Sequence, residues 1–218
     1  MLEIRLTKDG SQTVYNSDLD TTYHSSWGAV QESNTVFIEN GLKAFSAAPQ
    51  PVNILEIGFG TGLNAGLSWM ESAKNQEIDI RYTGLEPYRL KEEIWSKLDF
   101  VGIGLTEFRK LHSIKNRERK QLGQRFSASI YESHFQEEMF SEKFDLIYYD
   151  AFDPGTQPEL WDDKMMRKCA DLLRPGGIWI SYCSKGDVRR SLQNAGLEAR
   201  KLKGPPGKRH ILKATKPL

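Results

Sequence analysis

Leu55-Glu56-Ile57-Gly58-Phe59-Gly60-Thr61-Gly62-Leu63-Asn64 is the stretch on which the fold turns. Just before it, Pro51-Val52-Asn53-Ile54-Leu55 reads as a short buried strand, and residues 63–73 carry apolar side chains at helical spacing. Strand, tight glycine turn and helix make the first unit of an α/β sheet that binds a nucleotide or nucleoside. Gly58, Gly60 and Gly62 can take φ > 0 and present no Cβ, so a ligand can lie against the main chain. A dinucleotide fingerprint wants its third glycine where this chain has Leu63, so a dinucleotide fits poorly.

Downstream, Ile80-Arg81-Tyr82-Thr83-Gly84-Leu85 reads as the second strand, with Glu86 at its tip. An acid there can accept both ribose hydroxyls of a nucleoside. Pro87 stops the strand and residues 90–98 read as a helix. Phe126-Ser127-Ala128-Ser129-Ile130-Tyr131 is the third strand, followed by Ser133-His134, and His134 is either a ligand contact or a surface residue. Leu146-Ile147-Tyr148-Tyr149 is a continuous apolar run of parallel-strand type. Asp150 closes that run at the edge where open α/β sheets bind ligands, and Phe152, Pro154 and Pro158 stiffen the loop beyond it. A helix over 163–173, ended by Pro175-Gly176-Gly177, leads to a fifth strand, Ile178-Trp179-Ile180-Ser181-Tyr182. Asp187 caps a helix running through Asn194, and residues 197–202 and 210–214 pair as a closing hairpin.

Upstream, residues 1–50 read as an N-terminal decoration, leaving 51–218 as the main domain. Glu3-Ile4-Arg5-Leu6-Thr7 and Thr13-Val14-Tyr15 flank an Asp9-Gly10 turn as a hairpin. The polar, aromatic stretch from Tyr23 to Ser33 is either a cap on the sheet or a flap that closes a substrate pocket. A chain of 218 residues with 39% hydrophobic and 27% charged content suits one sizeable domain with decorations. Membrane-spanning runs and a signal-peptide core are absent from the sequence. Cys169 and Cys183 lie in apolar contexts without metal spacing, so buried thiols, a cytoplasmic location and no metal are expected. A formal charge of +1 does not announce a nucleic-acid binder, so any such role rests on local charge. Residues 105–123 supply one basic stretch, read as a helix with Leu105, Phe108 and Leu111 on its apolar face. Lys185, Arg189, Arg190, Lys203, Lys208 and Arg209 supply a second.

The Glu-x-Gly-x-Gly-x-Gly turn resembles motif I of class I S-adenosylmethionine (SAM) methyltransferases. The resemblance sharpens to the methyltransferase half of the MnmC proteins, which complete 5-methylaminomethyl-uridine at the tRNA wobble position. Four blocks carry it in order: Tyr23-His24-Ser25 with Gly28 and Glu32-Ser33; residues 56–64; Asp150-Ala151-Phe152-Asp153-Pro154 with Gln157-Pro158-Glu159-Leu160-Trp161; and Val188-Arg189-Arg190 with Gly207-Lys208-Arg209. The resemblance implies a Rossmann-like, mostly parallel seven-stranded sheet with a terminal antiparallel hairpin. It implies that Glu56, Gly58, Phe59, Gly60, Thr61, Gly62, Asn64, Glu86, His134 and Asp150 hold SAM. It also implies that Asp150 faces the amine to be methylated and that the Tyr23 to Glu32 flap helps form the pocket, so Tyr23, Ser25, Glu32, Phe152, Pro154, Arg189, Lys208 and Arg209 are the expected substrate-binding residues, the last three toward phosphates of the tRNA anticodon stem-loop. The family commonly shows Asp-Gly-Phe-Ala-Pro where this chain has Ala151 and Asp153, and Gly-Asp where it has Ser133-His134. The sequence carries no FAD-dependent oxidoreductase half, so FAD is not expected; whether a separate FAD-dependent oxidoreductase acts as a partner stays open.

An alkylamine is largely protonated at neutral pH and must lose its proton before it can attack a methyl group. Asp150 can orient it and accept that proton directly or through water. Tyr149, Phe152 and Trp161 are candidates to stack the flipped-out base. Two other readings compete. Tyr149-Asp150-Ala151-Phe152-Asp153-Pro154 also resembles the Asp-x-x-Asp-Pro loop of aminopropyltransferases such as spermidine synthase, and a small-molecule amine methyltransferase belongs to the same class. An RNA-binding module with a vestigial SAM fold is the non-enzymatic alternative.

Overall fold

β4 (Val52–Ile57), the strand before the glycine turn, is buried at every position. A strand buried on both faces needs helices above and below it, and the chain supplies them. The structure, a computed structural model, describes residues 1–46, 50–75, 77–100 and 103–218. β4 lies among β5 (Ile80–Leu85), β6 (Arg119–Gly123), β7 (Phe126–Tyr131), β8 (Phe144–Tyr149), β9 (Leu173–Ser181), β10 (Glu198–Lys203) and β11 (His210–Thr215). Their order is β10-β11-β9-β8-β4-β5-β7-β6, parallel from β9 to β7 and antiparallel at both ends.

Side-chain parity splits the core in two. Ile54, Tyr148 and Ile180 face α2 (Leu63–Lys74) and α4 (Leu105–His112). Leu55, Ile57, Ile147, Tyr149 and Trp179 face α5 (Asp163–Leu172) and α6 (Gly186–Asn194). Asp162 caps α5 by accepting the Met165 N–H at 2.8 Å, and Met165, Met166, Cys169 and Leu172 pack inward as their spacing requires. Cys169 and Cys183 are both buried free thiols.

The N-terminal segment forms a three-stranded antiparallel sheet of β1 (Leu2–Leu6), β2 (Gln12–Asn16) and β3 (Thr21–Thr22). It continues through α1 (Ala29–Ser33) into a π-helical turn, Asn34–Glu39. Phe37 packs on Tyr148 with ring centroids 4.9 Å apart, so this segment shares the core on the α2 face of the large sheet.

Several expectations change. Residues 105–123 are not one helix: α4 ends at His112, and Arg119–Gly123 is the edge strand β6. That adds an eighth strand to the expected seven. A charged edge strand discourages pairing with another chain, and Arg119 also bonds inward to Thr83 Oγ1 at 2.9 Å and the Tyr82 carbonyl at 3.3 Å. The helix expected over 90–98 shrinks to α3 (Glu92–Trp95). α5 passes directly into β9 at Leu173, so Pro175-Gly176-Gly177 lies within the strand and makes a bend, Gly176 having φ +77°. Asp187 stands inside the first turn of α6 and pairs with Arg190 rather than capping it.

Candidate active site

The turn after β4 brings its backbone close to the ends of both neighbouring strands. Gly58 has φ +89°, and a Cβ there would lie 2.6 Å from the Asp150 carbonyl oxygen. Only glycine meets both conditions. The Gly58 and Phe59 amides donate to the Leu85 carbonyl at 3.1 and 2.9 Å, tying the turn to the end of β5. Glu86 then accepts the Gly60 N–H at 2.9 Å through one carboxylate oxygen and the Tyr88 N–H at 3.1 Å through the other. Burial raises its pKa to about 6 against those hydrogen bonds.

These elements wall a cleft of about 410 Å³, the size of a small-molecule site. Gly58, Phe59, Gly60, Thr61, Asn64, Glu86, His134 and Asp150 line it. His134 meets Tyr88 edge to face at 5.6 Å. Two residues assigned to the cofactor do not reach the cleft. Gly62 caps α2 with φ +80° over the Phe59 ring. Glu56 is fully buried beneath the turn, where its Oε1 accepts from Asn64 Nδ2 at 2.9 Å. It shares strand parity with Ile54 and so points under α2. Its carboxyl is held well above the usual range by burial and by the nearby Asp150.

Asn64 Nδ2 also donates to Asp150 Oδ2 at 2.8 Å, linking the buried acid to the strand-end acid. The Asp150 amide is pinned to the Ile57 carbonyl at 2.9 Å. Burial raises the Asp150 pKa well above a normal aspartate, Glu32 adds to the rise, and Asn64 and Lys208 oppose it. Asp150 also lines a second cavity of about 170 Å³, which meets the first at Tyr23, His24, Asp150, Ala151 and Phe152. The flap therefore stands across the junction. Tyr23 packs edge to face on Phe152 at 5.1 Å, while Ser25 and Glu32 line the second cavity with Lys208.

Other assignments fall outside both cavities. Pro154 lines neither, and Arg189 and Arg209 are exposed on the surface. Tyr149 and Trp161 are core residues: Tyr149 bonds the Leu160 carbonyl and Trp161 Nε1 donates to the Phe152 carbonyl at 2.7 Å. Of the three aromatic candidates only Phe152 faces the junction. His24, in the flap but not among the expected site residues, lines both cavities, with Nε2 3.1 Å from Thr61 Oγ1 and Nδ1 3.3 Å from Thr13 Oγ1. Burial lowers its pKa to about 4, so it is neutral at pH 7. Tyr182, which donates to the Ala151 carbonyl at 2.9 Å, is likewise added by the structure.

The cleft suits SAM. The backbone of Gly58, Gly60 and Thr61 lines it without a bulky side chain at either glycine, Glu86 offers a carboxylate to a ribose diol, and the Asn64 side-chain oxygen Oδ1 is buried with no partner among the described residues. Among those residues no cluster of potential metal ligands occurs.

Comparison with known proteins agrees. Residues 111–217 match the family model of S-adenosyl-L-methionine-dependent methyltransferases. The chain is 29% identical to the tRNA 5-methylaminomethyl-2-thiouridine biosynthesis bifunctional protein MnmC of Cupriavidus metallidurans, across 94% of this chain and 32% of that protein. It thus spans about a third of the length of this curated relative. The crystal structure of MNMC2 from Aquifex aeolicus superposes with a TM-score of 0.84 at 25% identity, covering all of this chain and 72% of that one. Spermidine synthase from Thermotoga maritima shares the fold at a TM-score of 0.59 and 15% identity, covering 99% of this chain and 79% of that one.

Proposed function

We propose that this chain, a SAM-dependent methyltransferase by fold and family match, methylates the primary amine of 5-aminomethyl-(2-thio)uridine at the tRNA wobble position. One observation carries the reading: Asp150 faces both the cofactor cleft and an acid-lined cavity next to it. A carboxylate at that junction meets an amine where it meets the methyl donor.

SAM, when bound, supplies an electrophilic methyl group on a positively charged sulfur, which disfavours a second cation beside it. Catalysis by the protein is then positioning, water exclusion and removal of one proton. Tyr23 and Phe152 close the junction to water, and Phe152 offers a ring face to the base. Asn64 fixes the Asp150 carboxylate through Oδ2, leaving Oδ1 for the ammonium. The burial that raises the Asp150 pKa makes its carboxylate a stronger base, better matched to taking an ammonium proton. Glu56 supports this from below by orienting Asn64.

The aminopropyltransferase reading needs Asp153 as a second grip on a diamine. Here Asp153 serves its own loop, accepting from the Gly155 N–H at 2.8 Å and Thr156 Oγ1 at 3.0 Å and pairing with Lys185 at 3.4 Å. The reading to test is therefore RNA methylation, with a separate oxidoreductase supplying the aminomethyl group. The experiment is to incubate the protein with methyl-labelled SAM and tRNA carrying 5-aminomethyl-uridine. Label at position 34 is expected. Transfer only to putrescine from decarboxylated SAM would overturn the proposal, as would tight tRNA binding without any transfer.

A further inference from the structure

The cavity beyond Asp150 already holds a primary amine. Lys208, in the loop between β10 and β11, reaches into it and sets its Nζ 2.7 Å from Glu32 Oε2 and 4.0 Å from the centroid of the Tyr182 ring. The pair is largely withdrawn from water, with side-chain exposures of 28% for Lys208 and 12% for Glu32. A carboxylate and an aromatic face together offset the loss of hydration of the ammonium. A lysine ends in a methylene-ammonium group, the chemical class of the aminomethyl arm in the proposed substrate. With about 170 Å³ of space and Asp153 committed to its own loop, Glu32 and Asp150 are the acids available to a cation there. A second ammonium would enter against the charge of the first.

The loop that carries Lys208 also touches the flap. Gly207 has φ +85°, and a Cβ on it would lie 2.5 Å from the Trp27 indole, so loop and flap rest on one another. Trp27 is 48% exposed, with the Lys8 ammonium 3.4 Å above its ring, and exposed Arg209 follows Lys208 in the chain. A phosphate backbone arriving at this cationic rim would offer Lys208 an anion outside the cavity.

We propose that Lys208 is an internal occupant of the acceptor pocket that leaves Glu32 for an RNA phosphate when tRNA docks, letting the substrate ammonium take its place on Glu32. This rests on the tRNA reading above. Lys208 is thus a specificity residue: it opens the pocket to an amine carried on RNA and withholds it from free amines. Glu32 becomes the second acid of the amine clamp, opposite Asp150.

The test separates the pocket from the reaction. Binding of the free nucleoside 5-aminomethyluridine is measured by equilibrium dialysis with S-adenosylhomocysteine present, and KM is measured on the modified tRNA. Lys208→Met is expected to bind the nucleoside about fivefold tighter while KM for tRNA rises about fivefold, the scale of one partly exposed ion pair. Lys208→Arg keeps a cation in the pocket and must bind the nucleoside as weakly as wild type. Adding Glu32→Gln to Lys208→Met must erase the gain. No gain in Lys208→Met, an equal gain in Lys208→Arg, or a gain that survives Glu32→Gln each overturns the inference. Failure of the wild-type protein to methylate tRNA sinks the proposed function alone, since the nucleoside arm still reports whether Lys208 occupies the pocket.

Discussion

Asp150 and Glu86 are both carboxylates at the C-terminal ends of parallel strands, and their surroundings divide their work. Asp150 meets Asn64 on one side and an acid-lined cavity on the other, so its carboxyl group is open to an ammonium. Asp150→Asn keeps an oxygen for the Asn64 amide but removes the base. The variant is expected to fold and to lose about 10²-fold or more in kcat on modified tRNA, the usual worth of a positioned base. Single-turnover methylation checks this, and a loss confined to KM would contradict it. Glu86 is engaged by backbone amides and faces the cofactor cleft. Its pKa is raised to about 6 by burial, and ribose hydroxyls donate to the ionised form. The sign follows: SAM affinity is flat above neutrality and falls as pH drops through about 6, where protonation removes an acceptor. Calorimetric titrations at pH 7.5 and pH 5 should show the difference, and Glu86→Gln should weaken binding at pH 7.5 and flatten this part of the profile.

At the scale of elements, two glycines with similar φ have different neighbours, one in the glycine turn and one after α6. Gly58 and Gly196 both have positive φ, +89° and +86°. A Cβ at Gly196 meets nothing within 4 Å, whereas one at Gly58 runs into the Asp150 backbone. Gly196→Ala should cost about 1–2 kcal/mol, the price of a left-handed conformation for an L residue. Gly58→Ala should lower the melting temperature further and abolish the rise that SAM produces in wild type; equal shifts in the two variants would refute the close approach. How the sequence announced these elements follows the same physics. β8 and its terminal acid Asp150 were legible because Leu146–Tyr149 is a continuous apolar run, buried at every position, that a carboxylate closes. Glu56 lies away from the cleft for a readable reason: it alternates with Leu55 and Ile57 and so shares the Ile54 face, beneath α2. Residues 105–123 were misread because Phe108 and Leu111 set a helical rhythm that nothing charged in Arg119–Gly123 visibly broke. Lys208 in the pocket, with Arg189 and Arg209 outside it, was beyond local reading. That difference rests on a contact between Glu32 and a loop far along the chain.

At the scale of the whole molecule, the proposed function raises the question of which cationic surface would meet RNA, since the net charge of +1 favours neither. The sheet order sets the two basic stretches at opposite edges, β6 and α4 at one and β10, β11 and α6 at the other. Seven inter-strand gaps separate the edge strands, about 34 Å at the usual spacing. Polarity within the site decides between them. Glu86 and His134 follow β5 and β7, so the cofactor cleft opens along the β6 side. The acid-lined cavity is walled by Tyr182, just beyond β9, and by Lys208 in the β10–β11 loop, so under the proposed function the acceptor would enter from the hairpin side. Arg189, Lys203 and Arg209 are exposed there and have no acidic partner among the described residues, whereas Arg190 and Lys185 are paired with Asp187 and Asp153. Phosphate contacts release counterions, so each should add about one unit to the slope of log affinity against log salt. The double variant Arg189→Ala/Arg209→Ala should therefore weaken tRNA binding at low salt and reduce that slope by about two. Arg109→Ala/Lys110→Ala, on α4, should leave the slope unchanged. Filter binding across a salt series distinguishes the two faces, and a slope that falls only for the α4 pair would place the RNA on the opposite edge and separate it from the cavity where Asp150 waits.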